Sequence, residues 1–309
     1  MGRPCSRPVI ALRGPPSTAR EPAMPSDVTI THRERAMFPG SDETKGELAE
    51  YYAAMAPRML PFLAGRPVSL MRCPQGRTGH CFYQKHHTGG FGPQVHTVAV
   101  AEKHGTVDDY LWLDSAEGLA ACVQMGTIEF HLWGSRARAL ERPDRLVFDL
   151  DPDEAMDFDH VRGAAREIHD RLAERGLSSF AMLTGGKGIH VIAPLTPGHT
   201  WPMHRDFAKG LAQALAVAEP GRFVATMSKA KREGRIFIDW LRNQRGSTAI
   251  APYSARARAR APVAAPVAWD ELDDFDNAHP FSIRDAGALL ERAHCRALRG
   301  WGVAEQRLP

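Results

Sequence analysis

Hydrophobic positions first settle into a helical rhythm near residue 44. Leu48, Tyr51, Tyr52 and Met55 recur at helical spacing until Pro57, and Thr44 with Glu47 forms a capping-box pair just ahead of them. A helix is predicted to begin there. Its first turn carries Lys45 and Gly46, so backbone N–H groups and an ammonium would meet at a natural phosphate seat. A second helical pattern covers 158–175, with Val161, Ala165, Ile168 and Leu172 on one face and Gly176 as its stop. A third covers 204–217 through Phe207, Leu211 and Leu215. Short β-rich runs lie at 145–150, 180–183, 189–193 and 235–241. Strands interleaved with helices predict an α/β (α+β) domain, placed here at 27–302 with a C-terminal tail at 303–309.

Composition narrows the class without deciding it. The 309 residues are 43% hydrophobic and 24% charged, which is ordinary globular usage and excludes wholesale disorder. No apolar run reaches the roughly 18 to 20 residues of a membrane-spanning helix, because candidates such as 118–133 are broken by Gly, Gln, Glu or His. Residues 1–26 hold Arg3, Arg7, Arg13 and Arg20 among prolines and read as a disordered basic tail, with Met24 as an alternative start. Five sparse cysteines are taken as reduced thiols of a cytoplasmic protein rather than a disulfide framework. Zinc at Cys73, His80, Cys81, His86 and His87 is discounted, since the spacing matches no paired-ligand pattern. Net charge is only +3, but Lys229, Lys231, Arg232, Arg235, Arg242, Arg245, Arg256, Arg258 and Arg260 crowd one stretch, which suits a phosphate-rich partner.

The candidate chemistry lies on the strands. Alternation along 145–151 sends Leu146, Phe148 and Leu150 to one face and Val147, Asp149 and Asp151 to the other. The two carboxylates would sit roughly 6.5 to 7 Å apart and converge on a divalent cation, which would relieve their repulsion. Asp239 follows Ile236, Phe237 and Ile238 and is the one acid of that strand, so a neighbouring strand would complete a three-carboxylate site. Hard oxygen donors without a Cys/His set suit Mg²⁺ or Mn²⁺ and in-line phosphoryl or nucleotidyl transfer through a two-metal site. Removing any one acid is expected to leave the fold intact or slightly stabilised. The turn at 184–190 holds Thr184, Lys187 and His190 around three glycines, so its N–H groups and side chains can face a phosphate; it lacks Walker A spacing. Phe82 and Tyr83 are candidates for stacking on bases.

The stretches LVFDLDPD (146–153), TGGKGIH (184–190) and MSKAKREGRIFID (227–239) resemble the motifs of the polymerase domain of bacterial DNA ligase D, in the archaeo-eukaryotic primase superfamily. The resemblance runs from about residue 29 to 301 and includes AGRP (64–67), QMG (124–126), WGSR (133–136) and APYS (251–254).

This resemblance implies a primase-polymerase core with an RRM-like sheet bearing the carboxylates. Asp149, Asp151 and Asp239 would ligate Mn²⁺ or Mg²⁺, and His131, Thr184, Lys187, His190, Arg242 and Arg256 would hold the incoming NTP or dNTP. Lys45 would grip the 5′-phosphate of a gapped or broken DNA end, Arg35 would stand where some members have a second lysine, and the Phe82–Tyr83 pair would stack on the template. The activity implied is nucleotide addition to DNA 3′ ends in non-homologous end joining, alongside a DNA ligase and the end-binding protein Ku. Without a Lys-x-Asp-Gly adenylation motif, the chain is not expected to seal nicks itself. The competing readings are a metal-dependent nuclease or phosphoesterase, which would not need the 184–190 turn for a triphosphate, and an idle end-binding subunit, which would tolerate loss of the carboxylates.

Overall fold

The computed structural model describes residues 28–102 and 104–309. The tail expected at 1–26 lies outside the described residues. The elements run α1 (Lys45–Leu63), β1 (Arg66–Arg72), β2 (Phe82–Gln84), β3 (His96–Ala101), β4 (Val107–Leu113), α2 (Ala116–Gln124) and β5 (Thr127–Trp133). They continue as β6 (Arg145–Pro152), α3 (Phe158–Ala173), β7 (Phe180–Leu183), β8 (Ile189–Pro194), α4 (Trp201–Ala218), β9 (Phe223–Val224) and β10 (Ile236–Asp239). The chain closes with β11 (Thr248–Ile250), β12 (Ala265–Val267) and α5 (Ala286–His294).

The strands form two six-stranded sheets, so the α/β expectation holds. One has the order β11-β5-β1-β4-β3 with β2 also on β1, and the other β12-β7-β8-β6-β10-β9. Within the second, β6-α3-β7-β8-α4-β10 is a β-α-β-β-α-β unit with β6 at its centre, the RRM-like arrangement that the motifs imply. Leu146, Phe148 and Leu150 of β6 enter a core with Val161, Ala165, Ile168 and Leu172 of α3 and with Leu211 and Leu215 of α4. Each of these side chains larger than alanine stabilises the fold by roughly 1.5 to 3 kcal/mol. The opposite face of β6 looks toward the first sheet, and that face carries the acids.

α1 starts at the predicted capping box, with Thr44 and Glu47 bonded reciprocally, but runs past Pro57 and Pro61 to Leu63. Both prolines, and Ala53 one turn before Pro57, face solvent, where water can serve the carbonyls that a proline leaves without a partner. The buried face packs Leu48, Met55 and Met59 on the core, and the Tyr51 and Tyr52 hydroxyls donate to the carbonyls of Tyr253 and Ile128. α3 closes at Gly176 in the left-handed region (φ 75°), with Leu177 N–H reaching back to Leu172 O.

Two expectations change. Cys73 and Cys81 are disulfide-bonded across a short loop, where free thiols were expected; both thiolates are thereby removed from any zinc site, and the cysteine argument for a reducing compartment weakens. Residues 303–309 are also no loose tail: Gln306 exchanges hydrogen bonds with Ser178 and donates to Pro194 O, and Leu308 is buried. Among the described residues no helix is long and apolar enough to cross a membrane.

Candidate active site

Between the sheets lies a cleft of about 620 Å³. It collects Tyr83, His131, Asp149, Asp151, Thr184, Lys187, His190, Asp239, Arg242 and Arg256 from six separate stretches of chain. Ser69, Arg232 and Arg258 join them. Of the residues expected at a site, Arg35, Lys45 and Phe82 are elsewhere.

The carboxylates meet through strand register. β10 runs antiparallel to β6 with Asp239 directly opposite Asp149, and β8 lies on the other side with His190 opposite Asp149. Asp149 is held by His190 Nε2 at 3.3 Å and by Arg242 at 3.0 Å, and Arg242 Nε also stands 3.1 Å from Asp239. Asp151 pairs with Arg232 at 3.0 Å, whose guanidinium lies over the Phe237 ring. Asp149 and Asp239 therefore share Arg242 while Asp151 faces Arg232, and the three carboxylates do not close on one point. Among the described residues, the group of ligand atoms that does lie within 4.8 Å of one another is His86, Glu102 and Asp108, outside this cleft.

The three aspartates differ electrostatically. Burial disfavours the Asp149 anion, yet His190 and Arg242 outweigh it and hold its carboxyl well below the usual range. Burial, followed by the Asp149 charge, raises Asp151. Burial also raises Asp239, and Arg242 only partly offsets that and the Asp149 charge. Three hard oxygen donors on one face, two of them sharing a single guanidinium, fit a divalent cation of the Mg²⁺ or Mn²⁺ class.

Arg242 is aimed by a turn that the sequence reading missed. Asp239 Oδ1 accepts the Leu241 N–H at 2.9 Å, and the buried Asn243 amide bonds both the N–H and the C=O of Val147 at 2.8 Å, as a further strand residue would. A second missed group is Glu129. It is 4% exposed on β5, with Oε2 2.7 Å from His131 Nε2 and 3.2 Å from Arg256 Nε, while Oε1 accepts the Ala257 N–H at 2.7 Å. Arg256 in turn donates to Thr184 O. In the sequence Glu129 registered only as an interruption of an apolar run, whereas His131 was singled out by the family resemblance.

The 184–190 turn uses several of its own polar groups to hold itself together. Thr184 Oγ1 donates to Gly188 O and accepts the Gly186 N–H, and the Gly185 N–H donates to Ala278 O, so these groups hold the turn together rather than offering a ring of free donors. Gly188 is required by close approach, since a Cβ there would fall 1.9 Å from Leu150 O. Lys187 reaches the exposed Glu154 at 2.6 Å, a surface pair that gives way readily. His190 turns its Nε2 to Asp149.

The expected seat at α1 is filled. Lys45 N–H donates to Arg35 O, Gly46 N–H to Arg33 O and Glu47 N–H to Thr44 Oγ1, so the backbone half of that expectation is overturned. The Lys45 ammonium lies on Gln124, bonding its Oε1 at 2.7 Å and its main-chain oxygen at 2.9 Å, and burial together with Arg35 lowers its pKa. Arg35 donates to Pro74 O. Phe82 and Tyr83 are consecutive on a strand and point to opposite sides; only Tyr83 enters the cleft, its ring edge-on to His131 at 5.3 Å.

The LigD primase-polymerase domain family matches residues 44–296. The chain belongs to that family. It is 40% identical over 289 residues to the multifunctional non-homologous end joining protein LigD of Pseudomonas aeruginosa, covering 94% of this chain and 34% of that protein. Against the bifunctional LigD of Bacillus subtilis it is 30% identical over 274 residues, 86% of this chain and 43% of that one. The chain thus spans between a third and a half of these curated relatives. The polymerase domain of Mycobacterium tuberculosis ligase D, solved in complex with DNA, superposes with a TM-score of 0.81 at 33% identity, covering 89% of this chain and 98% of that one.

Proposed function

We propose that this LigD primase-polymerase domain transfers nucleotides from NTPs or dNTPs to the 3′ ends of DNA at breaks and gaps during non-homologous end joining. The observation that carries this is the cleft itself: three aspartates on the neighbouring strands β6 and β10, bordered by Lys187, Arg232, Arg242, Arg256 and Arg258. Five cations against three acids suit a polyphosphate accompanied by a divalent ion.

Asp149, Asp151 and Asp239 would hold Mn²⁺ or Mg²⁺, which when bound activates the attacking 3′ oxygen and neutralises the leaving pyrophosphate. Lys187 leaves Glu154 for the polyphosphate, and Arg256, Arg258 and His131 line the wall against which it lies. Thr184 and His190 contribute less directly, one by holding the turn and the other by orienting Asp149. Arg242 exchanges carboxylate partners for substrate as the acids take up the cation. Tyr83 offers its ring as a wall for a base. Lys45 with Arg35, and Phe82, would serve the DNA outside the nucleotide cleft, the first pair toward a 5′-phosphate. Ku and a DNA ligase would be its partners, and the cytoplasm at the chromosome its location, as the family resemblance implies.

Primer extension tests this, with NTPs or dNTPs and with Mg²⁺ or Mn²⁺, on gapped duplexes. Lengthened primers with a chelator-sensitive rate are expected; shortening of the primer in place of extension would reject the reading in favour of a nuclease.

A further inference from the structure

The phosphate wall has a support that touches no substrate position. Glu129 is almost fully buried, yet it is ionised: burial opposes the charge, but His131, Arg256 and the Ala257 N–H more than compensate and bring its pKa down to about 2. A buried carboxylate is costly unless paired, and this one takes all its partners from the wall of the cleft. It joins His131 on its own strand to Arg256 and Ala257 beyond β11, and Arg256 extends the tie to the carbonyl of Thr184.

We infer that Glu129 is a positioning residue for the nucleotide, holding His131 and Arg256 as donors toward its polyphosphate. The inference rests on the nucleotidyl-transfer reading above. The His131 Nε2–H donates to Glu129, which directs the ring and leaves Nδ1 as the other polar atom. Burial, together with Arg256 and Arg242, outweighs Glu129 and lowers the His131 pKa, so without ligand protonation of the ring is disfavoured. Its surroundings are Glu129 on β5, Tyr83 from β2, Ser69 opposite it on β1, Arg242 from the turn after β10, and Arg256 and Arg258 beyond β11. Against so many cations, only Glu129 offers the imidazolium a negative partner. When a polyphosphate arrives, His131 takes one proton from solvent, keeps Nε2–H on Glu129 and donates Nδ1–H to a phosphate oxygen.

Nucleotide binding by the parent should therefore tighten as pH falls. Glu129→Gln keeps the acceptor for Ala257 but removes the charge. Its nucleotide KM should be about tenfold higher at the acid end, the worth of one charge-assisted hydrogen bond, and nearly flat with pH. His131→Asn should show the same flattening, and the double variant no further loss. A parental KM at every pH in a folded Glu129→Gln protein would overturn the inference. Histidine NMR needs no turnover: the His131 ring, assigned by its loss in His131→Asn, should titrate at lower pH in Glu129→Gln. An unchanged titration would likewise overturn it. Absence of primer extension by the parent would instead reject the function, with the NMR result standing on its own.

Discussion

The cleft and the start of α1 are both places where sequence puts cations beside a possible phosphate site, and they differ in how their donors are occupied. In the cleft the charges are shared or loosely held. Arg242 divides itself between Asp149 and Asp239, and Lys187 rests on an exposed glutamate. At α1 the first three N–H groups already have acceptors, and Lys45 is packed onto Gln124. A capping box announces a helix start equally well in either condition. It does not say whether that start is open to a ligand, because the acceptors that close it come from residues 33 and 35, which pass over the helix end.

The sharpest way to break the contrast is at the acids. Asp149→Asn and Asp239→Asn should each reduce nucleotide incorporation on the order of a thousandfold or more, since several kcal/mol of charge stabilisation disappears. Their stabilities should diverge. Asp149 has a depressed pKa, so its contribution is present above the ordinary carboxylate range and is lost as pH falls from that range through the depressed folded pKa. Asp149→Asn should then destabilise the chelator-treated protein at neutral pH by roughly 1 to 3 kcal/mol, and the difference should fade in acid. Asp239, whose pKa is raised, costs stability when ionised, so Asp239→Asn should be neutral or stabilising. This differs from the expectation that all three acids behave alike, because Asp149 is held by His190 and Arg242. Denaturant titrations at several pH values decide it, and equal losses for both variants would show that the acids are equivalent.

A smaller effect is expected at Lys187. Its salt bridge to Glu154 is exposed and worth little, so Lys187→Ala should leave the melting temperature within a degree or two while raising nucleotide KM by roughly ten- to a hundredfold. DNA affinity, read by fluorescence anisotropy, should stay near the parental value. A matching loss for DNA would place this lysine on a general basic surface.

The smallest change belongs to Lys45. Its pKa is lowered, so the charged form costs stability at neutral pH and that cost falls as pH rises through the folded pKa. Lys45→Met should therefore be neutral or slightly stabilising, by less than about 1 kcal/mol. On gapped DNA with a 5′-phosphate, binding should weaken and the slope of log affinity against log salt should drop by about one, whereas a 5′-hydroxyl duplex should bind as before. Equal losses on both duplexes would end the 5′-phosphate assignment.

The half of the molecule from β6 to β10 was largely legible because each strand there has one face toward helices and one toward the cleft. Alternation therefore placed Asp149, Asp151 and Asp239 on the cleft face, and the helices beside them show a clean apolar stripe. The first sheet was not. β5 is buried on both faces: Ile128, Phe130 and Leu132 alternate with Thr127, Glu129 and His131, but alternation alone marks the polar face as solvent-facing and does not show that it turns into a buried cleft wall. The disulfide between Cys73 and Cys81 was missed because sparse cysteines carry no pairing signal in a chain of this size.

By itself the sequence determined features that act over a few residues: the capping box, the strand faces, the glycine turn, and the motifs that mark the family. The tertiary structure decided what each charge is worth. The groups that set Asp149, Glu129 and Lys45 apart, namely Arg242, the 256–257 segment and Gln124, lie 93, 128 and 79 positions away along the chain. A carboxylate or an ammonium is governed by burial and by neighbours within a few ångströms, and only folding brings those neighbours there.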